Sequence, residues 1–192
     1  KKQPPLLYDL TELQRDANKQ YNYTAKETLN IMQRLYENHK VLTYPRTDSR
    51  YLSQDIVPTI KERLKACSVG PYRKIAGTMI NRPLAQKMAF VDNSKVSDHH
   101  AIIPTEQFVQ LDHMTVDERR IYDLVVRRFL AVLYPPCEYE QTTLKGVCGG
   151  ETFSAKGKIM KQPGWQAAYE DFQEEEGEED IREQLLPEIK EG

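Results

Sequence analysis

The chain has 192 residues, 29% charged and 39% hydrophobic, so it can bury one ordinary core but not a large one. No run of about 18 apolar residues is present, which excludes a membrane-spanning helix. The net charge of −2 divides unevenly: residues 170–192 hold 11 acids and 2 bases, leaving 18 acids and 25 bases, a net of +7, in residues 1–169. That excess suits a polyanionic partner, although a solvated surface of mixed charge has the same composition.

The opening stretch KKQPPLLYDL lacks the apolar core of a signal peptide. It begins at Lys1 rather than Met, so residues 1–7 are expected to be a linker from an upstream part of a longer protein. Cys67, Cys137 and Cys148 form no CxxC pair. An odd count of distant cysteines predicts neither a zinc site nor a disulfide framework, and fits reduced thiols of a cytosolic protein.

In YDLTELQRDANKQ, Asp9 is placed to cap a helix, with Glu12 three residues on. Tyr8 and Leu13 sit where a hydrophobic staple needs them, and Leu10, Leu13 and Ala17 follow helical spacing. A second helix begins at Thr24, with Glu27 completing a capping box and Leu29, Met32, Leu35 and Tyr36 as its apolar stripe. KVLTYP then reads as a short strand ending on Tyr44. Helix, turn, helix, strand is the order of a winged-helix module, and a generic helical domain gives the same order.

Further on, SQDIVPTIKERLKA predicts a helix capped by Ser53, with Ile56, Ile60 and Leu64 on one face and Pro58 near its start. PYRKIAGTMINR predicts another, and the stretch from Pro83 to Thr105 is mostly irregular. TVDERRIYDLVVRRFLAVLYPP is the clearest helix: Thr115 and Glu118 make its capping box, Ile121, Leu124, Val125, Phe129 and Val132 are its apolar positions, and Pro135 and Pro136 end it. Two β-like runs then meet around Gly149 and Gly150, a hairpin signal. The acidic run at 174–180 reads as a solvated or disordered loop. The expected class is α+β, with a mainly helical winged-helix or CAP-like domain over 8–134, a short strand bearing Tyr44, and a β-rich part over 135–192.

Two stretches carry candidate chemistry. In VLTYPRTDS, Pro45 pushes Tyr44 toward an extended conformation. Residues two apart in an extended segment share a face, so Tyr44 and Arg46 project the same way. A buried aromatic beside a surface arginine explains that pattern without function. The alternative is a nucleophile with its phosphate clamp, because a planar guanidinium can contact two phosphoryl oxygens and keeps its charge. In SDHHAIIPT, His99 and His100 alternate faces, so only one of them easily joins a given site. A histidine beside a phosphate can donate a hydrogen bond or pass a proton.

LTYPRTDSRYLS, followed some fifty residues on by HHAIIPT, resembles the type IA DNA topoisomerases. PPLLYDLTELQRDAN, YEQTTL and the later F, A, GK and GW positions follow in the same order, so the resemblance covers nearly the whole chain. It implies Tyr44 as the nucleophile, Arg46 as the residue that assists cleavage, and His99 as the histidine that contacts the phosphate backbone or relays a proton. Thr47, Ser49, Arg50 and, second to His99, His100 are expected to contact DNA. The reaction implied is cleavage and rejoining of single-stranded DNA through a 5′-phosphotyrosyl link, without ATP, for strand passage, relaxation and decatenation.

The resemblance also implies a toroidal bacterial, cytoplasmic enzyme in which Mg²⁺ is held by a separate toprim domain. No segment here resembles that domain, so no residue of this chain is assigned to a metal, and the piece alone is expected to be inactive. Residues from about 135 on are implied to be part of a β arch that acts as a hinge. The rival expectation is a non-catalytic winged-helix DNA-binding module with Tyr44 in its core; a third is a structural hinge with no DNA role.

Overall fold

A computed structural model of the chain describes residues 1–172, so the acidic run at 174–180 lies outside the described residues. The contacts divide the chain into two compact units, Pro5–Tyr134 and a second made of Lys1–Pro4 with the chain from Pro135 onward.

The helical unit forms where local signals are strongest. Helix α1, Leu10–Tyr21, starts at Asp9, whose carboxylate accepts from the Glu12 N–H at 2.7 Å. It ends at Asn22 in the left-handed conformation that asparagine tolerates. Helix α2, Ala25–Glu37, has the full Thr24–Glu27 capping box. Its buried side is Thr28, Ile31, Met32 and Leu35; Leu29 is half-buried and Tyr36 is 38% exposed, so the stripe is rotated from the one expected. Pro58 explains a second difference. The first turn after Ser53 is a 3₁₀ segment, Gln54–Thr59, with no side-chain cap, and helix α3 begins only at Ile60 and runs to Cys67. Helix α4 spans Arg73–Ile80. Lys61 of α3 caps the end of α4, donating to the carbonyls of Met79, at 3.0 Å, Ile80 and Arg82.

Helix α5, Val116–Leu133, is the centre of this unit. It packs against α1, α2 and α4, and all five of its expected apolar positions are buried. Two of its four arginines, Arg127 and Arg128, are buried too. Arg127 pairs with Asp123 at 2.9 Å; Arg128 lies 4.0 Å from the Tyr8 ring centroid, donates to Leu6 O at 2.9 Å, and meets Asp16 at 2.8 Å. A cap contributes about 1 kcal/mol. Burying one Leu or Phe side chain contributes about 1.5–3 kcal/mol. Packing on α5 therefore outweighs the caps, which fix where each helix begins.

The expected strand at 41–44 is a single bridge, Leu42 to Pro104, rather than a ladder. Thr43 N donates to Ile103 O and Thr105 N to Val41 O, both at 3.0 Å. There the ladder stops, because Pro45 has no N–H for the next rung and the Ile103 N–H goes to Thr43 Oγ1 instead.

In the other unit, strands β1, Glu138–Cys148, and β2, Glu151–Gln162, form an antiparallel hairpin. The turn between them is Gly149–Gly150, both at positive φ, as a two-residue hairpin turn requires. Lys2 pairs with Cys137 through two backbone hydrogen bonds of 2.8 and 3.0 Å. Gly164, at φ 53°, has no room for a side chain: a Cβ would sit 2.5 Å from Pro136 O.

Glu118 joins α2 to α5. It is 4% exposed, completes the α5 capping box, and meets Arg34 at 3.0 Å and His39 at 3.2 Å. Burial pushes its carboxyl up, but the Thr115 N–H, Arg34 and His39 outweigh that and hold it below the usual range. A depressed carboxylate stabilises the fold above its unfolded pKa, near ~4.3, and that contribution is lost as pH falls through the folded value. Glu118→Gln is expected to lower stability by about 1–3 kcal/mol at neutral pH. The gap to wild type should close in acid, which melting curves at pH ~7 and ~3 will read. An equal gap at both pH values would mean that the charge plays no part.

Candidate active site

The candidate site lies within the helical unit, where the chain leaves α2. Lys40 adopts φ 58°, Val41 and Leu42 are buried, and the chain emerges at Tyr44. Tyr44 is half-buried and lies against two rings. Its centroid is 4.3 Å from that of His99 at an interplanar angle of 35°, and 5.6 Å from that of Tyr36, edge-on at 81°. No described residue hydrogen-bonds its hydroxyl.

Tyr44, His99 and His100 share the lining of a cavity of about 310 Å³, together with Asp55, Asn93 and Asp98. His99 is exposed and His100 half-buried. The His100 Nδ1–H donates to Ala101 O at 2.7 Å, since a carbonyl can only accept. Burial, with Arg63 and His99 adding to it, holds the His100 pKa below its ordinary value, so the ring is neutral near pH 7 and its Nε2 is an acceptor. Asp55 is held in its charged form: the Ser53 hydroxyl and Asp55's own N–H donate to its carboxylate and hold it below the usual range.

Arg46 is exposed, makes no ion pair or hydrogen bond to a described residue, and lies outside the cavity lining. Arg50 is half-buried and donates from Nε to Leu7 O at 3.1 Å. Thr47 and Ser49 are 7% and 4% exposed, and their hydroxyls are committed inside the protein. Thr47 Oγ1 donates to His99 O at 2.9 Å and accepts the Ser49 N–H at 3.1 Å. Ser49 Oγ donates to Lys95 O at 2.8 Å. These two residues hold the loop after Tyr44 against the segments carrying His99 and Lys95.

Tyr36, Asp55 and Asn93 were not expected at the site. By spacing Tyr36 belongs to the α2 stripe, and nothing local in the sequence distinguishes Asp55 or Asn93; Asp98 stands next to the two histidines. The cysteines are free, and burial pushes the Cys67 thiol up to about 12, which makes it inert. The resemblance implies Mg²⁺ for the whole protein. Among the described residues no group of three or more His, Cys, Asp or Glu side chains is placed to hold a metal, so the residues present do not fit that ion. No helix among the described residues is long and apolar enough to cross a membrane.

With Tyr44 set between a histidine and a tyrosine at the rim of a polar cavity, comparison with known proteins is informative. The family model described as DNA topoisomerase matches residues 1–192, and the chain belongs to that family. It is 61% identical over 189 residues to DNA topoisomerase 3 of Bacillus thuringiensis (strain Al Hakam), covering 98% of this chain and 26% of that protein. Its identity to DNA topoisomerase 3 of Bacillus subtilis (strain 168) is 52% over 188 residues, again covering 98% and 26%. The chain thus spans about a quarter of the length of the curated relatives it matches. Its fold is similar to that of full-length topoisomerase I from Thermotoga maritima, with a TM-score of 0.68 and 22% identity over 100% of this chain and 30% of that one. The type IA resemblance is borne out at the level of the family, and a non-catalytic winged-helix module is not favoured.

Thr47→Val keeps the shape of the side chain but leaves His99 O and the Ser49 N–H without their partner. It is expected to cost about 1–3 kcal/mol and to displace the His99 ring resonances in an NMR spectrum. Thr47→Ser, which keeps the hydroxyl, should restore both. A Thr47→Val protein with the wild-type melting temperature and His99 shifts would show that this hydroxyl holds nothing in place.

Proposed function

We propose that this chain is the nucleophile-bearing part of a type IA DNA topoisomerase of the topoisomerase III kind, acting on single-stranded DNA. The observation that carries the reading is Tyr44: a phenol with no hydrogen bond to a described residue, its ring against His99, at the rim of a cavity. Tyr44 Oη attacks phosphorus and loses its proton; the bond from phosphorus to the 3′ oxygen breaks, a 5′-phosphotyrosyl ester forms, and the 3′ hydroxyl leaves. The ester keeps the energy of the broken phosphodiester, so the same steps in reverse reseal the strand without ATP.

Each neighbour has a part in this reading. Arg46, exposed and without an ion pair among the described residues, neutralises charge on the non-bridging oxygens. His99 sets the Tyr44 ring and contacts the phosphate or relays a proton. Arg50 and His100 border the strand, and Thr47 and Ser49 serve it from inside by positioning the loop. The basic excess of residues 1–169 suits the rest of the DNA backbone. The CAP-like or winged-helix character of residues 8–134, the β arch from 135, a Mg²⁺-binding toprim domain elsewhere in the protein, and a cytoplasmic, nucleoid setting belong to the same proposal.

Tyr44→Phe in the full-length protein deletes the attacking oxygen and nothing that holds the fold. It should abolish the covalent adduct with a labelled oligonucleotide and leave melting temperature and DNA affinity nearly unchanged. Arg46→Lys keeps the charge but loses the two-pronged contact, so adduct should form slowly yet remain detectable. Appreciable cleavage by the Tyr44→Phe protein overturns the mechanism, and a large drop in its melting temperature would make the hydroxyl structural.

A further inference from the structure

The cavity beside Tyr44 has a lining that phosphate does not explain. Asp55 and Asp98 both line it, and among the described residues no lysine or arginine does, so a phosphate inside it would meet the like charge of two carboxylates. It is not built for a metal either, since its carboxylates and histidines form no metal-holding group. Its volume, about 310 Å³, falls at the small end of organic-ligand pockets, ~300–1,000 Å³. The rings of Tyr44 and His99 give it an aromatic wall.

The polar groups in it are specific in kind. Asp55 is an ionised acceptor with two oxygens, and the Ser53 hydroxyl and its own N–H leave part of its capacity open. Asn93 Oδ1 is occupied by the Gln54 N–H at 2.7 Å, so what Asn93 still offers is its amide N–H donors. An acceptor carboxylate beside a donor amide complements the Watson–Crick edge of guanine, which presents two adjacent N–H donors and one carbonyl oxygen. Adenine, cytosine and thymine each lack that pair of donors. Unpaired bases are read in this way, by edge hydrogen bonds and by stacking on aromatic side chains.

We infer that this cavity receives one unpaired nucleobase next to the phosphate that Tyr44 attacks, guanine ahead of the others, with Asp55 and Asn93 reading its edge. The inference rests on the topoisomerase reading and adds a sequence preference to it. The side chains that sense the base are then distinct from Tyr44 and Arg46, which meet the phosphate.

The test uses the full-length protein and single-stranded oligonucleotides randomised on both sides of the cleavage position, with sequencing of the cleaved ends. Wild type should enrich guanine at one fixed position near the cut, and Asp55→Asn should weaken that enrichment ~10-fold, the scale of one bidentate base contact. Inosine in place of that guanine removes the 2-amino donor. It should cost wild type several-fold in adduct formation and cost Asp55→Asn nothing further. The inosine exchange on wild type decides the matter even if Asp55→Asn fails to fold. Adduct on Tyr44 with no guanine preference at any position, or with a preference that neither Asp55→Asn nor inosine alters, overturns this inference alone. Absence of any Tyr44 adduct overturns the topoisomerase reading and this inference with it.

Discussion

The backbone of residues 99–105 is the strut on which the site depends. Its polar groups bond to six other residues. His99 O accepts from Thr47 Oγ1, Ala101 N donates to Tyr51 O, Ile102 N to Tyr8 O, and Thr105 N to Val41 O. Ile103 exchanges bonds with Thr43 through both its N–H and its carbonyl, and Pro104 O accepts from the buried Arg63 at 2.8 Å. Ala101, Ile102 and Ile103 are each no more than 1% exposed. A buried backbone group left without a partner is costly, so these bonds fix the strut by necessity, and the histidines at its start are fixed with it.

The bonds and ring contacts around Tyr44 hold its backbone and ring and leave its hydroxyl free of described partners. Tyr44 is not held by its hydroxyl; it is held by Pro45, by the bridge at Leu42 and by the rings on either side. The loop beyond it is tied inward by Thr47 and Ser49, while Arg46, just before them, is exposed to solvent. The arrangement leaves the Tyr44 hydroxyl and the Arg46 guanidinium without a partner among the described residues and commits the hydroxyls of Thr47 and Ser49. Arg128, Tyr8 and Asp16 apply the same economy on the far side of Tyr8, joining the strut's neighbour to the central helix α5.

What could be read from the sequence was local. The starts of α1, α2 and α5 were legible because each is set by a side chain bonding three residues ahead, from Asp9, Thr24 and Thr115. The hairpin was legible because Gly149 and Gly150 supply the backbone its turn needs. The 3₁₀ start before α3 was half-legible, since Pro58 announced a disturbance but not its form. The orientation of Thr47 and Ser49 was not legible: a small polar residue after an arginine looks the same whether its hydroxyl meets DNA or a carbonyl fifty residues away. Asp55 and Asn93 were hidden for the same reason, because only tertiary folding brings them to Tyr44.

The separation in sequence has a consequence for how the protein is made. Tyr44 and His99 are 55 positions apart. At a synthesis rate of about 5–20 residues per second, the ribosome adds the histidine roughly 3–11 s after the tyrosine. α5, on which the unit packs, follows later still. Until the strut is made, Tyr44 lacks the ring of His99 and the cavity wall that the histidines and Asn93 supply. The ring stack and the cavity are therefore withheld until the strut has closed, and a chain that stalls before it carries Tyr44 without them.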